Sequence, residues 1–334
     1  MTDIAQGEPK VRRWTGQRWA LDNVLRSVGI DWDQPRSFYL NAACGIEGGA
    51  DFAAIRERVK KYADVEPAFA NTARRREGKA RAAEEDGSPI TARDNYFMAA
   101  IHWGSAQWSH YDNDATNLAY NKSKRDCYTN YVRLADHRIE PVMIPFKGKT
   151  LPGWFHLPPN YTGGRIPVVI SFPGMDTYKE VFVSLKGDSW LERGIAVLAL
   201  DGPGQAECRV LGLTVSMENW TAVGKAAVDW LVARPEIDPQ KIGAFGNSFG
   251  SFSSLSSPRT SRASAPASPT PTILSRASTR SSRRRARRTR SASCTWRASP
   301  TRRSSTPSAG RSPGRATPRR SACRISALRA SGMN

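Results

Sequence analysis

The sequence predicts an α/β protein: a doubly wound, mostly parallel sheet preceded by a helical cap and followed by a low-complexity tail. Three observations predict it. Apolar residues recur at three- and four-residue steps as far as about residue 137, the period of helices with one buried face. The continuous apolar runs VVISF and VLAL then alternate with helix-spaced segments, as strands buried on both faces of a parallel sheet do. A third run, KIGAFG, leads directly into Gly246-Asn247-Ser248-Phe249-Gly250. The expected division is a helical cap over residues 1–137, a partial α/β core over 138–252, and a disordered tail over 253–334.

In DFAAIRERVKKYAD, Phe52, Ile55, Val59 and Tyr62 fall on one helical face, and in TARDNYFMAAIHWGSAQW so do Phe97, Ile101 and Trp108. ATNLAYNKSKRDCYTNYVRLAD continues the pattern. The period then drops to two. EPVMIPFKGKTLPGWFHLPP alternates apolar and polar residues around Lys147-Gly148-Lys149, which reads as a hairpin. RIPVVISFPG and GIAVLALDGPG read as buried strands, with YKEVFVSLKGDSWLERG at helical spacing between them and Gly194 as its cap. Met217, Trp220, Gly224, Ala227 and Leu231 make the buried stripe of a further helix before KIGAFG. Strand, helix, strand, helix, strand is a right-handed doubly wound unit.

The net charge of +20 is not spread along the chain. From Ser251 onward the sequence holds 19 of the 50 basic side chains, all Arg, and none of the 30 acidic ones. The first 250 residues are therefore nearly neutral, and the basic character belongs to the tail. Cys44, Cys127, Cys208, Cys294 and Cys323 show no CxxC spacing, which argues against a zinc site and a disulfide framework and fits a reducing compartment. MTDIAQGEPKVRRW lacks the apolar run of a signal peptide, and no stretch approaches the roughly 20 apolar residues of a membrane span. The expectation is a cytoplasmic protein with no membrane partner, no metal and no cofactor.

The chemistry centres on Ser248. Gly-x-Ser-x-Gly alone is a weak pattern, but after a buried strand it reads as a nucleophile on a tight strand-to-helix turn. The alternative is a plain glycine-rich turn. The N–H of Phe249 would be one oxyanion donor, and FPGMDTYKE, following an earlier strand, would bring the N–H of Met175 beside Ser248 as the second. Asp176 is either a polar group near substrate or a helix N-cap, with Thr177 competing for the second role. Asp201, before Gly-Pro-Gly, reads first as a turn residue, with a helix-capping carboxylate or part of the pocket wall as the alternatives. His102, His110, His137 and His156 all precede Ser248, and His102 and His110 read as packing or pocket-lining groups of the helical region.

Taken together, the helical region, the hairpin, VVISFPGMDTYKE, VLALDGPGQAE and GAFGNSFGSF resemble the FrsA-like α/β-hydrolase family over roughly residues 20–252. The resemblance implies the α/β-hydrolase fold, a Ser-Asp-His triad, and cleavage of esters or of C–C bonds next to carbonyls beneath a helical cap. Ser248 matches the family nucleophile. Asp176 falls where a nicotine-pathway member carries a glutamate near its substrate. It is one methylene shorter.

This fold takes its triad in the order Ser, acid, His, yet no Asp, Glu or His follows Ser248. Without a general base the hydroxyl keeps its proton and attacks poorly, so the chain as given is expected to be inactive. The tail carries only Phe252, Leu255, Ile273, Leu274, Ile325 and Leu328 as large aliphatic or Phe residues, too few to offset ordering entropy. Two accounts compete for it. An Arg-rich tail would attract nucleic acid non-specifically through phosphates. A frame shift in a GC-rich gene would also yield Arg, Ser, Ala, Pro and Thr: one base out of register, codon degeneracy lets Ser293–Ala298 encode MYMAG and Ser304–Ala309 encode FDAFC. The function classes in play are thus a serine hydrolase with a scrambled end, a nucleic-acid-binding protein, and a non-catalytic hydrolase-like scaffold. The aromatics Tyr96, Phe97, Trp103 and Trp108 point either to core packing or to an aromatic or polyketide-like small-molecule substrate. A homodimer is compatible with the sequence.

Overall fold

The computed structural model describes residues 18–110, 112–183 and 188–251; the tail expected from residue 253 lies outside the described residues. The helical half comprises α1 (Arg18–Val28), α2 (Asn41–Arg58), α3 (Val65–Glu85), α4 (Pro89–Trp108) and α5 (Ala115–Leu134). A wide, π-type stretch, Pro35–Leu40, runs into α2. Pro89 occupies the first turn of α4, where its missing N–H costs nothing. Asp114 starts α5 by accepting the Asn117 N–H at 2.7 Å.

Phe52, Ile55, Val59 and Tyr62 are all buried, as their spacing predicts. In α4 the expected one-sided stripe is wrong in kind. Every residue from Asn95 to Gln107 is buried, because α3 and α5 cover one side and the sheet's loops the other. A helix covered all round loses its polar face.

The sheet comprises β1 (Ile139–Phe146), β2 (Lys149–His156), β3 (Ile166–Phe172), β4 (Ala196–Leu200) and β5 (Ile237–Gly246), in the order β1-β2-β4-β3-β5. The first two pairings are antiparallel and the last two parallel. The hairpin turn is Lys147-Gly148, both left-handed at φ 48° and 74°, the two-residue geometry that matches strand twist. Among the described residues, two short helices, α6 (Lys179–Phe182) and α7 (Asp188–Leu191), lie between β3 and β4, and α8 (Ala206–Val210) and α9 (Met217–Val232) follow β4. On α9, Trp220, Gly224, Ala227 and Leu231 are buried as expected. Met217 is not: it is 66 % exposed, because the first residue of the helix overhangs the sheet face.

Two large apolar clusters result, with two small ones beside them. One fills the helical half and continues through Trp154, Tyr178 and Val181. The other lies between the sheet and α9, through Leu151, Ile170, Leu198, Trp220 and Leu231. No helix among the described residues is long and apolar enough to cross a membrane.

Candidate active site

The parallel register pairs Phe172 with Gly246, so β3 and β5 end side by side and the loops that follow them meet. Asn247 donates its N–H to Phe172 O at 3.2 Å, and Gly250 donates to Asn247 O at 2.9 Å. The turn places Ser248 at φ 51°, a left-handed conformation that costs an L-residue roughly 1–2 kcal/mol. The turn is tight enough that a Cβ on Gly246 would lie 2.2 Å from Gly250 O. Ser248 is exposed. A Cβ on Gly174 would stand 3.4 Å from that of Ser248, so the loop after β3 runs directly beside the serine.

Phe249 turns its ring inward, edge-on to Trp220 with centroids 4.7 Å apart. Trp220 Nε1 donates to Pro203 O at 2.9 Å. Neither the Phe249 N–H nor the Met175 N–H has an acceptor among the described residues. Met175 is 37 % exposed.

The loop carrying Met175 is held from two sides. From below, Gln205 donates to Pro173 O at 2.8 Å and Gly174 O at 2.7 Å, and accepts the Gly202 N–H at 2.7 Å. From the helical half, Arg36 donates to Asp176 O at 2.7 Å. Tyr178 lies under α4, donating its hydroxyl to Ile101 O; a Cβ on Gly104 would fall 2.3 Å from its ring. Gln107, Trp108, Met175, Asp176, Tyr178 and Arg209 line a cavity of about 100 Å³ at this junction. Of the aromatics singled out in the sequence, Tyr96, Phe97 and Trp103 are core, and Trp108 alone reaches this space.

Asp176 is exposed, and among the described residues its side chain caps no helix. Thr177 turns back on Gly174 O. The carboxylate that receives the first amide of α6 is Asp201, whose Oδ1 accepts the Lys179 N–H at 2.8 Å. Of the readings of Asp201, the turn residue gives way to the helix-capping carboxylate, and the side chain is fully buried. Its Oδ2 lies 3.0 Å from Lys179 Nζ, which also contacts Glu207 at 2.7 Å and Glu180 at 2.9 Å. Lys124 of α5 approaches Glu180 Oε2 at 3.8 Å, Arg125 pairs with Glu207, and Trp154 Nε1 donates to Glu180 at 3.1 Å. Burial alone would push Lys179 down, but the three carboxylates hold it well above the ordinary lysine range. Burial pushes Asp201 up, against the pull of Lys179.

The four histidines are engaged elsewhere. His102 Nε2 lies 3.2 Å from Asp51, and His110 sits between Asp114 and Glu66. His137 bridges Asp136 and His156, each at 3.0 Å. Among the described residues, no histidine or carboxylate hydrogen-bonds Ser248 Oγ.

Sequence reasoning missed Arg36 and Gln205. Gln205 stands in the quoted DGPGQAE motif, and its place between two turn loops was the available signal. Arg36 had none, lying 140 residues from its partner.

A sheet ordered β1-β2-β4-β3-β5, with the loops after β3, β4 and β5 gathered at one edge beneath helices, is the fold of an α/β hydrolase. The sequence model of the Esterase FrsA-like family matches residues 69–276, and the chain belongs to that family. The α/β hydrolase xenA of Xenoacremonium sinensis is 30 % identical over 166 residues, 47 % of this chain and 39 % of that protein. The 20-hydroxy-prefusarin hydrolase FUS2 of Gibberella moniliformis is 29 % identical over 185 residues, 52 % of this chain and 44 % of that one. Among solved structures, 2,6-dihydroxy-pseudo-oxynicotine hydrolase superposes with a TM-score of 0.53 at 23 % identity, covering 64 % of this chain and 58 % of its own. The chain thus spans less than half of these two curated relatives.

Proposed function

We propose that the chain carries the nucleophile half of a serine hydrolase acting on an ester, or on a C–C bond next to a carbonyl, of a small-molecule substrate. Ser248 Oγ is the attacking group. The N–H groups of Phe249 and Met175 take the negative charge that develops on the carbonyl oxygen. Asp176, exposed at the mouth of the cavity beside Trp108, faces the substrate, and the aromatic wall there suits an aromatic or polyketide-like ligand. The observation that carries this reading is the left-handed Ser248, at φ 51°, set against a loop whose Met175 N–H is free of acceptors among the described residues. Strain of that kind collects at functional sites.

The general base is the missing part. No His, Asp or Glu follows Ser248 in this sequence, and the four histidines before it have other partners. The chain as given therefore turns over no substrate, and the tail from residue 253 is the product of a shifted reading frame. The coding DNA, read across the codons for Phe249 to Ser257, is expected to show an inserted or deleted base near Ser253. The frame-restored chain should hydrolyse p-nitrophenyl acetate, and Ser248→Ala should lower its kcat by about 10⁴-fold or more. Turnover by the chain as given that disappears in Ser248→Ala refutes the inactivity. A restored chain indifferent to Ser248→Ala refutes the nucleophile.

A further inference from the structure

Arg36 is 2 % exposed and has four engagements to satisfy. One terminal nitrogen donates to both oxygens of Asp33, at 2.9 and 2.6 Å. The other donates to Asp176 O at 2.7 Å. The guanidinium carbon lies 3.6 Å from the ring centroid of Trp108, which stacks on its face. The fourth, Nε–H, is buried and meets no protein acceptor.

Arg36 lines a small cavity with apolar walls from Leu40, Phe52 and Phe69. Asn41 Oδ1 and His102 Nδ1, two further buried atoms without a protein partner, belong to residues lining the same cavity. It measures about 10 Å³, counted as room for the centre of a water molecule, about the size of one such site.

The hydrogen-bond inventory selects the occupant. Asp51 is an ionised acceptor: burial would raise it, but His102, Arg76 and Arg75 hold it below the ordinary carboxylate range. His102 therefore donates from Nε2 to Asp51, which leaves a lone pair on Nδ1. Beside the weak S–H of Cys44, the cavity then presents one strong donor, Arg36 Nε–H, and two acceptors, Asn41 Oδ1 and His102 Nδ1. Water accepts the first and donates to the other two. A chloride would face two lone pairs, and a metal cation would face the guanidinium.

We propose that Arg36 is a positioning residue for the loop after β3, and that one buried water, seated between Arg36 Nε, Asn41 Oδ1 and His102 Nδ1, fixes its guanidinium plane. The water completes the Arg36 shell, and Arg36 carries Asp176 O, and with it the Met175 N–H, at a set height above Ser248. The importance given to that loop rests on the proposed function. The arrangement of water, Arg36 and loop does not.

The test is hydrogen exchange on the full chain, read at the Thr177 amide, which is bonded to Gly174 O at 3.2 Å. Asn41→Leu keeps the side-chain size and removes the acceptor. It should speed Thr177 exchange on the order of tenfold, the change expected for one net hydrogen bond, while exchange within α9 stays unchanged and the melting temperature falls. Arg36→Lys keeps a charge opposite Asp33 but lacks Nε–H and the planar fork, and should speed Thr177 exchange at least as much. Unchanged Thr177 exchange in Arg36→Lys overturns the positioning role. An unchanged or raised melting temperature in Asn41→Leu overturns the water, because an apolar group would then fill a dry cavity at a gain. Should Asn41→Leu fail to fold, a crystal structure of the unmodified chain decides: a density peak within hydrogen-bond distance of all three atoms supports the water, and none refutes it. These readouts do not involve Ser248 reactivity, so they stand or fall separately from the hydrolase reading.

Discussion

Replacing Gly250 by alanine asks how closely the serine turn is packed on the sheet. A Cβ at Gly250 would lie 2.4 Å from both Phe172 O and Pro173 O, and 2.8 Å from Phe172 C. These are backbone atoms at the end of β3 and cannot rotate aside. Restoring ordinary contact requires the turn and the strand end to separate by about 1 Å. The Asn247 N–H to Phe172 O bond, already 3.2 Å, would then be lost. One lost hydrogen bond at about 1 kcal/mol and an overpacking cost of about 1–3 kcal/mol give a destabilisation of roughly 2–4 kcal/mol. At about 2–4 °C per kcal/mol for a chain of this size, the melting temperature should fall by roughly 4–16 °C. Gly78 supplies the control. It is exposed within α3, and nothing lies within 4 Å of a Cβ there, so Gly78→Ala should stabilise by about 1 kcal/mol. Differential scanning calorimetry of the full chain and both variants checks this. A Gly250→Ala protein melting within about 2 °C of the parent, beside a Gly78→Ala protein that gains, would show that the turn does not rest on β3.

Three other outcomes follow from described geometry. Lys179→Met leaves Glu180, Asp201 and Glu207 buried around an apolar side chain; urea unfolding should show a loss of about 3–5 kcal/mol, and a loss under 1 kcal/mol would contradict the cluster. Ser248→Gly relieves the left-handed strain that Ser248→Ala retains, so the glycine variant should be the more stable by about 1 kcal/mol; the reverse order in thermal melts would count against the strained turn. Stability should also depend on pH through two histidines. Burial, then the neighbouring His137, holds His156 well below the ordinary histidine range, and burial lowers His102. The unfolded chain protonates both near pH 6.5 while the folded chain resists, so stability falls as pH drops below about 6.5, by at most about 1.4 kcal/mol per pH unit for each. A urea midpoint unchanged between pH 7.5 and 5.5 would refute this.

The strands and the serine turn were legible because they are local. VVISF, VLAL and KIGAFG are continuous apolar runs, and the pattern around Ser248 follows the last of them directly. The hairpin declared itself through alternation around Lys147-Gly148-Lys149, of which the structure makes Lys147-Gly148 the turn. What stayed hidden was set by distant partners. The burial of α4 on all sides depends on what α3, α5 and the sheet loops bring to it, and the spacing of its own residues does not encode that. Asp201 looks like a turn residue beside Gly-Pro-Gly, and only folding brings the α6 amide and Lys179 to it. Arg36 reaches Asp176 from another part of the chain altogether, so no window on the sequence contains both.

The buried ion cluster bears on how the two halves behave as one body. Lys124 and Arg125 come from α5, while Lys179, Glu180, Asp201 and Glu207 come from the loops and short helices after β3 and β4. Lys124, Lys179, Glu180 and Asp201 are fully or almost fully buried. Were α5 to part slightly, before water could reach the seam, Lys124 and Glu180 would be left unpaired in an apolar interior, at a cost of several kcal/mol. Small openings of the helical half are therefore resisted. The helical half and the sheet should then melt in a single cooperative step.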